Sequence, residues 1–173
     1  MTVEQFIELM KAHRVDSFFH FTDTRNLDSI RRHGLLSMKE LKAAGIKPIT
    51  GGNDWSLEAD AHAGMDAFVH LCFVPDHPME YIARKEKRIE QSKFIRVSPE
   101  ILRIDGVRLT TDVSNKSGIM PLPVDEGLAL LDHKAMYTRL NFKDPEQLAR
   151  RQAAEKYEIL VPDRVTADLL IGL

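Results

Sequence analysis

The sequence of 173 residues has little cysteine, no long apolar run and almost no net charge, and each shortage excludes a class of protein. Cys72 is the single cysteine, so an internal disulfide is impossible, which is typical of reducing compartments. No apolar run approaches the roughly 20 residues that a membrane-spanning helix needs. The first residues lack the basic start and apolar core of a signal peptide. We therefore expect a soluble cytoplasmic protein, or an isolated domain of a larger protein, that does not bind membranes.

Composition leaves the class of ligand open. The net charge of −2 gives no global basis for binding nucleic acid, so such binding would depend on a local patch. Hydrophobic residues make up 43% of the chain and charged residues 29%, which is ordinary for a globular protein and argues against disorder. The length suits one domain that covers residues 1–173.

Hydrophobic periodicity predicts short helices and strands in irregular alternation. Helices are expected over residues 3–13, 27–33, 37–44, 56–63 and 145–156, and strands over 17–21, 67–74, 94–97, 106–111 and 157–161. The segment 79–90 fits either a helix or an irregular strand. The segment 115–131 contains several glycines and prolines and is predicted to be rich in loops. Because regular βαβ units are missing, the pattern favours the α+β class.

The first informative motif lies at the end of the first predicted strand. Residues 19–23 read Phe-His-Phe-Thr-Asp, which puts His20 just before a turn, where an imidazole can point into a cleft. Asn26 begins a helical pattern that ends at Gly34, and Leu35 follows. A histidine by itself is more often a core or surface residue, so the argument depends on the longer pattern.

The second informative motif lies near the end of the chain. Glu158 leads into an apolar strand over residues 159–161, Ile-Leu-Val. A carboxylate at the start of a half-buried strand usually has a partner or a chemical task. The alternative is an exposed edge residue, and the pattern alone does not decide between the two.

The remaining candidates are weaker. The paired glycines at 51–52 suit a phosphate-binding loop, but no Gly-Lys-Ser/Thr follows, which argues against a P-loop. His70 and His77 lie seven residues apart without a nearby third ligand, so a zinc site is not expected. Basic residues cluster at 31–33, 84–88 and 150–151, where a solvated face is the ordinary interpretation.

Together the two motifs resemble the DarT family of toxin ADP-ribosyltransferases, and the resemblance spans residues 17–170. In that family a His-x-Thr strand end precedes Asn-Leu and a Gly-Leu step, and a Glu-x-Leu-Val segment lies near the end. The resemblance implies split β-sheets with peripheral helices and an NAD cleft between the sheets. It implies that Glu158 is the catalytic carboxylate. It also implies an NAD-binding set that consists of His20, Thr22, Asn26, Gly34, Leu35 and Ser56.

The implied reaction transfers ADP-ribose from NAD, without a metal, to a nucleic acid. The implied acceptor is a base in single-stranded DNA, with RNA as a second possibility, in a toxin or defence effector opposed by a separate macrodomain antitoxin. One departure from the family pattern bears on this. Residues 53–68 contain no arginine, whereas well-known members carry a reactive-site arginine in this segment. His62 is one candidate for its replacement, and the role is assigned to no residue.

Two alternatives remain open at this point. The first is an RNA-directed ADP-ribosyltransferase or 2′-phosphotransferase on the same fold. The second is a module that binds NAD or nucleic acid without catalysis, which the missing arginine motivates.

Overall fold

The computed structural model describes residues 1–52 and 54–173, with the side chains of residues 54–57 and 59 excepted. Its helices are α1 (Val3–Ala12), α2 (Leu27–His33), α3 (Met38–Ala43), α4 (Asp54–Ala63), α5 (Pro78–Lys85), α6 (Val124–Leu130), α7 (His133–Tyr137) and α8 (Pro145–Ala154). Its strands are β1 (Phe18–Asp23), β2 (Leu35–Leu36), β3 (Phe68–Cys72), β4 (Ser92–Val97), β5 (Arg108–Thr110), β6 (Leu122–Pro123), β7 (Glu158–Pro162), β8 (Arg164–Val165) and β9 (Leu170–Ile171).

Local sequence signals fix where several helices begin and end. Helix α1 begins with a capping box between Thr2 and Gln5, in which each side chain binds the other residue's backbone. The Ser37 side chain accepts the Glu40 N–H and caps α3. Helix α2 ends at Gly34, whose φ of 75° lies in the left-handed region that favours glycine. Each helix in the described part of the chain is too short or too polar to cross a membrane.

The strands form two antiparallel sheets, a seven-stranded one in the order β6-β5-β7-β3-β1-β4-β9 and a two-stranded one of β2 and β8. Strand β1 pairs with β4 over six residues, and β3 pairs with β7 over five. By contrast, the described strands β1 and β3 are paired only at Phe19 and Cys72. The large sheet is therefore nearly divided into two halves between β1 and β3. The mixture of helices and antiparallel strands confirms the predicted α+β class.

The core lies on one face of β3 and β7. Val69, Leu71, Ile159 and Val161 pack into it together with residues from the helices on that side. Aromatic rings strengthen the packing: Phe6, Phe18 and Phe73 lie with ring centroids 5.4–6.4 Å apart. Because side chains alternate along a strand, the residues between these core positions face the other way.

The structure resolves the ambiguous segment and corrects the predicted loop. Residues 79–90 contain helix α5, whereas the loop prediction for 115–131 is wrong in part, since this stretch holds β6 and α6. Its glycine has a packing role: a Cβ at Gly127 would lie 2.6 Å from the Cβ of Leu109. Helix α7 was not predicted.

Candidate active site

A cavity of about 230 Å³ lies where the two halves of the large sheet meet. Strands β1 and β3 line it, together with the loop of residues 48–52, residues 113–115 and the first residue of β7. Residue 26 and single residues or short parts of β2, α3, α4 and α5 complete its walls. Titratable or hydrogen-bonding side chains in these walls include His20, Thr22, Asn26, Asp60, His70, His77, Ser114 and Glu158. We refer to this cavity as the cleft.

Glu158 contributes a carboxylate to the lining of the cleft and is only 7% exposed. The backbone N–H of Ser114 donates to its Oε2 at 2.9 Å, and His70 Nδ1 lies 3.5 Å from the same oxygen. Burial alone would raise the pKa of Glu158, but His70 and then Ser114 outweigh burial and hold the pKa below its usual value. The carboxylate is therefore ionised at neutral pH.

His70 carries the positive charge beside this carboxylate. Its Nε2 lies 3.1 Å from the Met65 carbonyl oxygen, and its Nδ1 faces Glu158. Only the doubly protonated ring donates at both nitrogens, so both contacts favour the imidazolium. Burial lowers the pKa of His70, but Glu158 and then Asp60 oppose burial and raise it to about 9.

His77 is a second histidine beside Glu158, and it is in the opposite protonation state. Its Nδ1 accepts the Met79 N–H at 3.2 Å, which caps helix α5. The ring stacks on Phe21 and is only 4% exposed, and burial lowers the pKa of His77. The neutral ring therefore carries its proton on Nε2, which lies 3.9 Å from Glu158 Oε1.

Three of the residues predicted to bind NAD line the cleft: His20, Thr22 and Asn26. His20 Nδ1 donates to the His70 carbonyl oxygen at 2.9 Å, which links the two halves of the sheet. The Asn26 amide group donates to the Ile49 carbonyl and to Thr22 Oγ1, and its Oδ1 accepts the Ile49 N–H. Asn26 thus fixes the 48–52 loop against β1, which is a positioning role.

The other predicted residues lie elsewhere. Gly34 and Leu35 line an adjoining cavity of about 170 Å³ that shares His20, Thr22 and Asn26 with the cleft. Gly34 has a structural reason to be glycine, because a Cβ there would lie 2.2 Å from the Val165 carbonyl oxygen. The side chain of Ser56 lies outside the described residues.

Sequence reasoning missed the direct partners of Glu158. The sequence suggests His70 and His77 only as metal ligands, and it assigns no function to Ser114 or Asp60. Burial raises the pKa of Asp60, whose Oδ1 has no hydrogen-bond partner among the described residues. The alternation of strand 67–74 was the one usable signal, because it separates His70 from the core positions on either side of it.

Positive charge in the cleft comes from histidine. None of the described residues that line the cleft is arginine or lysine. Arg25 and Lys47 line the adjoining cavity instead. The Arg25 guanidinium is engaged by Asp23, with its Nε 2.8 Å from Oδ1 and its Nη2 2.9 Å from Oδ2. His70 is therefore the cation nearest to Glu158 in the part of the cleft that the structure describes.

Comparison with known proteins gives one family and several similar folds. The family model described as "ssDNA thymidine ADP-ribosyltransferase, DarT" matches residues 19–173. Thermosipho africanus DarTG in complex with ADP-ribose has a TM-score of 0.67 at 18% identity, over 90% of this chain and 42% of that one. The chain thus spans less than half the length of that protein.

Two structures of Thermus sp. 2.9 DarT are also similar, each at 20% identity over 90% of this chain. The complex with ADP-ribosylated ssDNA has a TM-score of 0.66 and is covered over 78% of its length. The complex with NAD+ has a TM-score of 0.63 and is covered over 79%. At this identity the likeness establishes a shared fold. No curated protein sequence matches the chain.

Proposed function

The chain belongs to the DarT family of ssDNA thymidine ADP-ribosyltransferases, and on that premise we propose that it cleaves NAD+ and transfers ADP-ribose to a thymidine base in single-stranded DNA. The observation that carries the proposal is Glu158. It is a buried, ionised carboxylate in the cleft, and it is held on one oxygen by Ser114 and His70. Its other oxygen, Oε1, makes no hydrogen bond to these two residues and faces His77 across the cleft.

Glu158 can supply both functions that the reaction requires. When the bond between nicotinamide and ribose breaks, nicotinamide leaves as a neutral molecule with the bonding electron pair, and the ribose carbon becomes oxocarbenium-like. The carboxylate stabilises this positive centre and accepts a hydrogen bond from the neighbouring 2′-hydroxyl. A nitrogen of the base then attacks the same carbon, and its proton passes to Glu158.

The other predicted residues fit supporting roles in this reaction. His20 and Thr22 line the cleft from within β1, which supports a role for His20 in binding a ribose with help from Thr22. Asn26 holds the loop of residues 48–52, which also lines the cleft. A single-stranded base suits the site because it need not be extracted from a duplex. The family resemblance also supports a macrodomain antitoxin as partner and action in the cytoplasm.

The test uses NAD+ labelled in its adenosine moiety and three acceptors: single-stranded DNA, duplex DNA and RNA. Glu158→Gln keeps the shape of the side chain but removes its charge, and we expect transfer to fall about 10²- to 10³-fold. Glu155→Gln is the matched control, since Glu155 lies three residues away and pairs with Arg151 at 2.7 Å. Label on single-stranded DNA that is lost in Glu158→Gln and kept in Glu155→Gln supports the proposal.

One observation favours a second candidate, a module that binds NAD+ without catalysis. The described lining of the cleft contains no arginine or lysine, and residues 53–68 contain no arginine. NAD+ binding without nicotinamide release, with every acceptor, would favour this module. Label on RNA alone would instead assign the acceptor to RNA.

A further inference from the structure

His77 presents a hydrogen-bond donor to the cleft that nothing in the described protein satisfies. Its Nδ1 is committed to the Met79 N–H, so the proton is on Nε2. The Nε2 atom is buried and has no hydrogen-bond partner among the described residues. A buried donor without a partner is energetically unfavourable, so a ligand that accepts its hydrogen bond would gain affinity.

The Glu158 carboxylate lies opposite His77, and it restricts which chemical group of a ligand can bind there. Glu158 Oε1 lies 3.9 Å from His77 Nε2, which is too far for a direct hydrogen bond. Glu158 can only accept, and the neutral His77 Nε2–H can only donate. A single atom that binds both must therefore accept from one side and donate to the other, as a hydroxyl oxygen does.

The distance also fits one inserted oxygen. Two hydrogen bonds of about 2.8 Å that span this gap meet at the bridging oxygen at about 90°, which is compatible with a hydroxyl. We propose that His77 and Glu158 together form a hydroxyl-binding site, in which His77 donates to the 2′-hydroxyl of the nicotinamide ribose while that hydroxyl donates to Glu158. His77 is thus a substrate-binding residue.

This inference rests on the proposed function, because it takes NAD+ as the ligand. It differs from that proposal in assigning a role to His77, whose side chain also caps helix α5. The test therefore measures equilibrium binding by calorimetry without acceptor DNA. The two ligands are NAD+ and an analogue that carries fluorine in place of the nicotinamide-ribose 2′-hydroxyl.

Two variants distinguish the hydrogen bond that His77 Nε2 donates to a ligand from the helix cap that His77 Nδ1 provides for α5. His77→Asn keeps a side-chain oxygen that can accept the Met79 N–H but has no donor at the position of Nε2. His77→Phe keeps a ring that can stack on Phe21 and removes both nitrogens. Each should bind NAD+ about 3- to 10-fold more weakly than the unaltered protein. His13→Asn is the control, since His13 is exposed and does not line the cleft.

The fluorinated analogue tests whether the lost contact is the one to the hydroxyl. We expect the analogue to bind the unaltered protein and both His77 variants with affinities within about 2-fold of one another. Equal losses for NAD+ and the analogue, or no loss for NAD+ in either variant, would overturn the inference while leaving the proposed function intact. Failure of the unaltered protein to bind NAD+ would overturn both.

Discussion

Replacing His70 with glutamine should destabilise the protein in a strongly pH-dependent way. The pKa of His70 is about 9 in the folded protein, because the effects of Glu158 and Asp60 exceed the opposing effect of burial. In the unfolded chain the pKa is about 6.5, and a difference of this size corresponds to roughly 3 kcal/mol of folding free energy. Because folding raises this pKa, the contribution is fully present below pH 6.5 and is lost as the pH rises through 9.

Urea unfolding of the unaltered protein and of His70→Gln, measured at intervals from pH 6 to pH 10, gives the relevant quantity. This is the difference between the two free energies of unfolding at each pH. Groups that titrate identically in both proteins cancel in this difference. It should be larger at pH 6 than at pH 10 by roughly 3 kcal/mol. His62→Gln, at an exposed histidine, is the control for the loss of an imidazole as such.

Two outcomes would refute the reasoning. A difference that stays constant from pH 6 to pH 10 would mean that the ring charge does not stabilise the fold. A difference that grows with pH would mean that the folded protein prefers neutral His70, contrary to the two acceptors that face its nitrogens.

Two further predictions concern the residues that shape the cavities. Asn26→Ala leaves both Ile49 backbone groups without their partner, so it should cost about 1–3 kcal/mol in urea unfolding and weaken NAD+ binding in calorimetry. Unchanged affinity would contradict the positioning role. Gly34→Ala should cost more than about 2 kcal/mol, because its Cβ would lie 2.2 Å from the Val165 carbonyl oxygen, in addition to the strain of a positive φ. Gly45→Ala has a similar φ with nothing within 4 Å, so an equal loss at Gly45 would show that the close approach is unimportant.

The elements that the sequence predicted are those set by neighbouring residues. Strand β1, helix α2 and the end of α2 at Gly34 follow from aromatic content, helical spacing and the freedom of glycine, all within a few residues. The loop prediction for residues 115–131 is wrong in part because the role of its glycine depends on a residue that is distant in the sequence. Gly127 lies inside helix α6, and a glycine is needed there because Leu109, distant in sequence, occupies the space where a Cβ would lie.

The site was predictable only in part, because its central contacts join distant segments. Glu158 stood out as a carboxylate before an apolar strand. Its partner Ser114 lies 44 residues away in the sequence. Their contact depends on the fold, which brings the segment that contains Ser114 next to the first residue of β7. The contact between Glu158 and His70 depends on the register of β3 with β7, in which Cys72 lies opposite Glu158. The register of two strands that are distant in the sequence cannot be predicted from one sequence alone.

The different hydrogen-bond partners of the two histidines determine how much negative charge Glu158 presents to a ligand. His70 faces two acceptors and is charged, so it keeps the carboxylate ionised and fixes one oxygen. His77 receives a backbone N–H on Nδ1 and is buried, so it is neutral and only donates. If both rings were charged, their combined field would oppose the oxocarbenium-like centre that the carboxylate is proposed to stabilise. The arrangement therefore suits a carboxylate that must remain ionised in a buried site and still act on a positive centre.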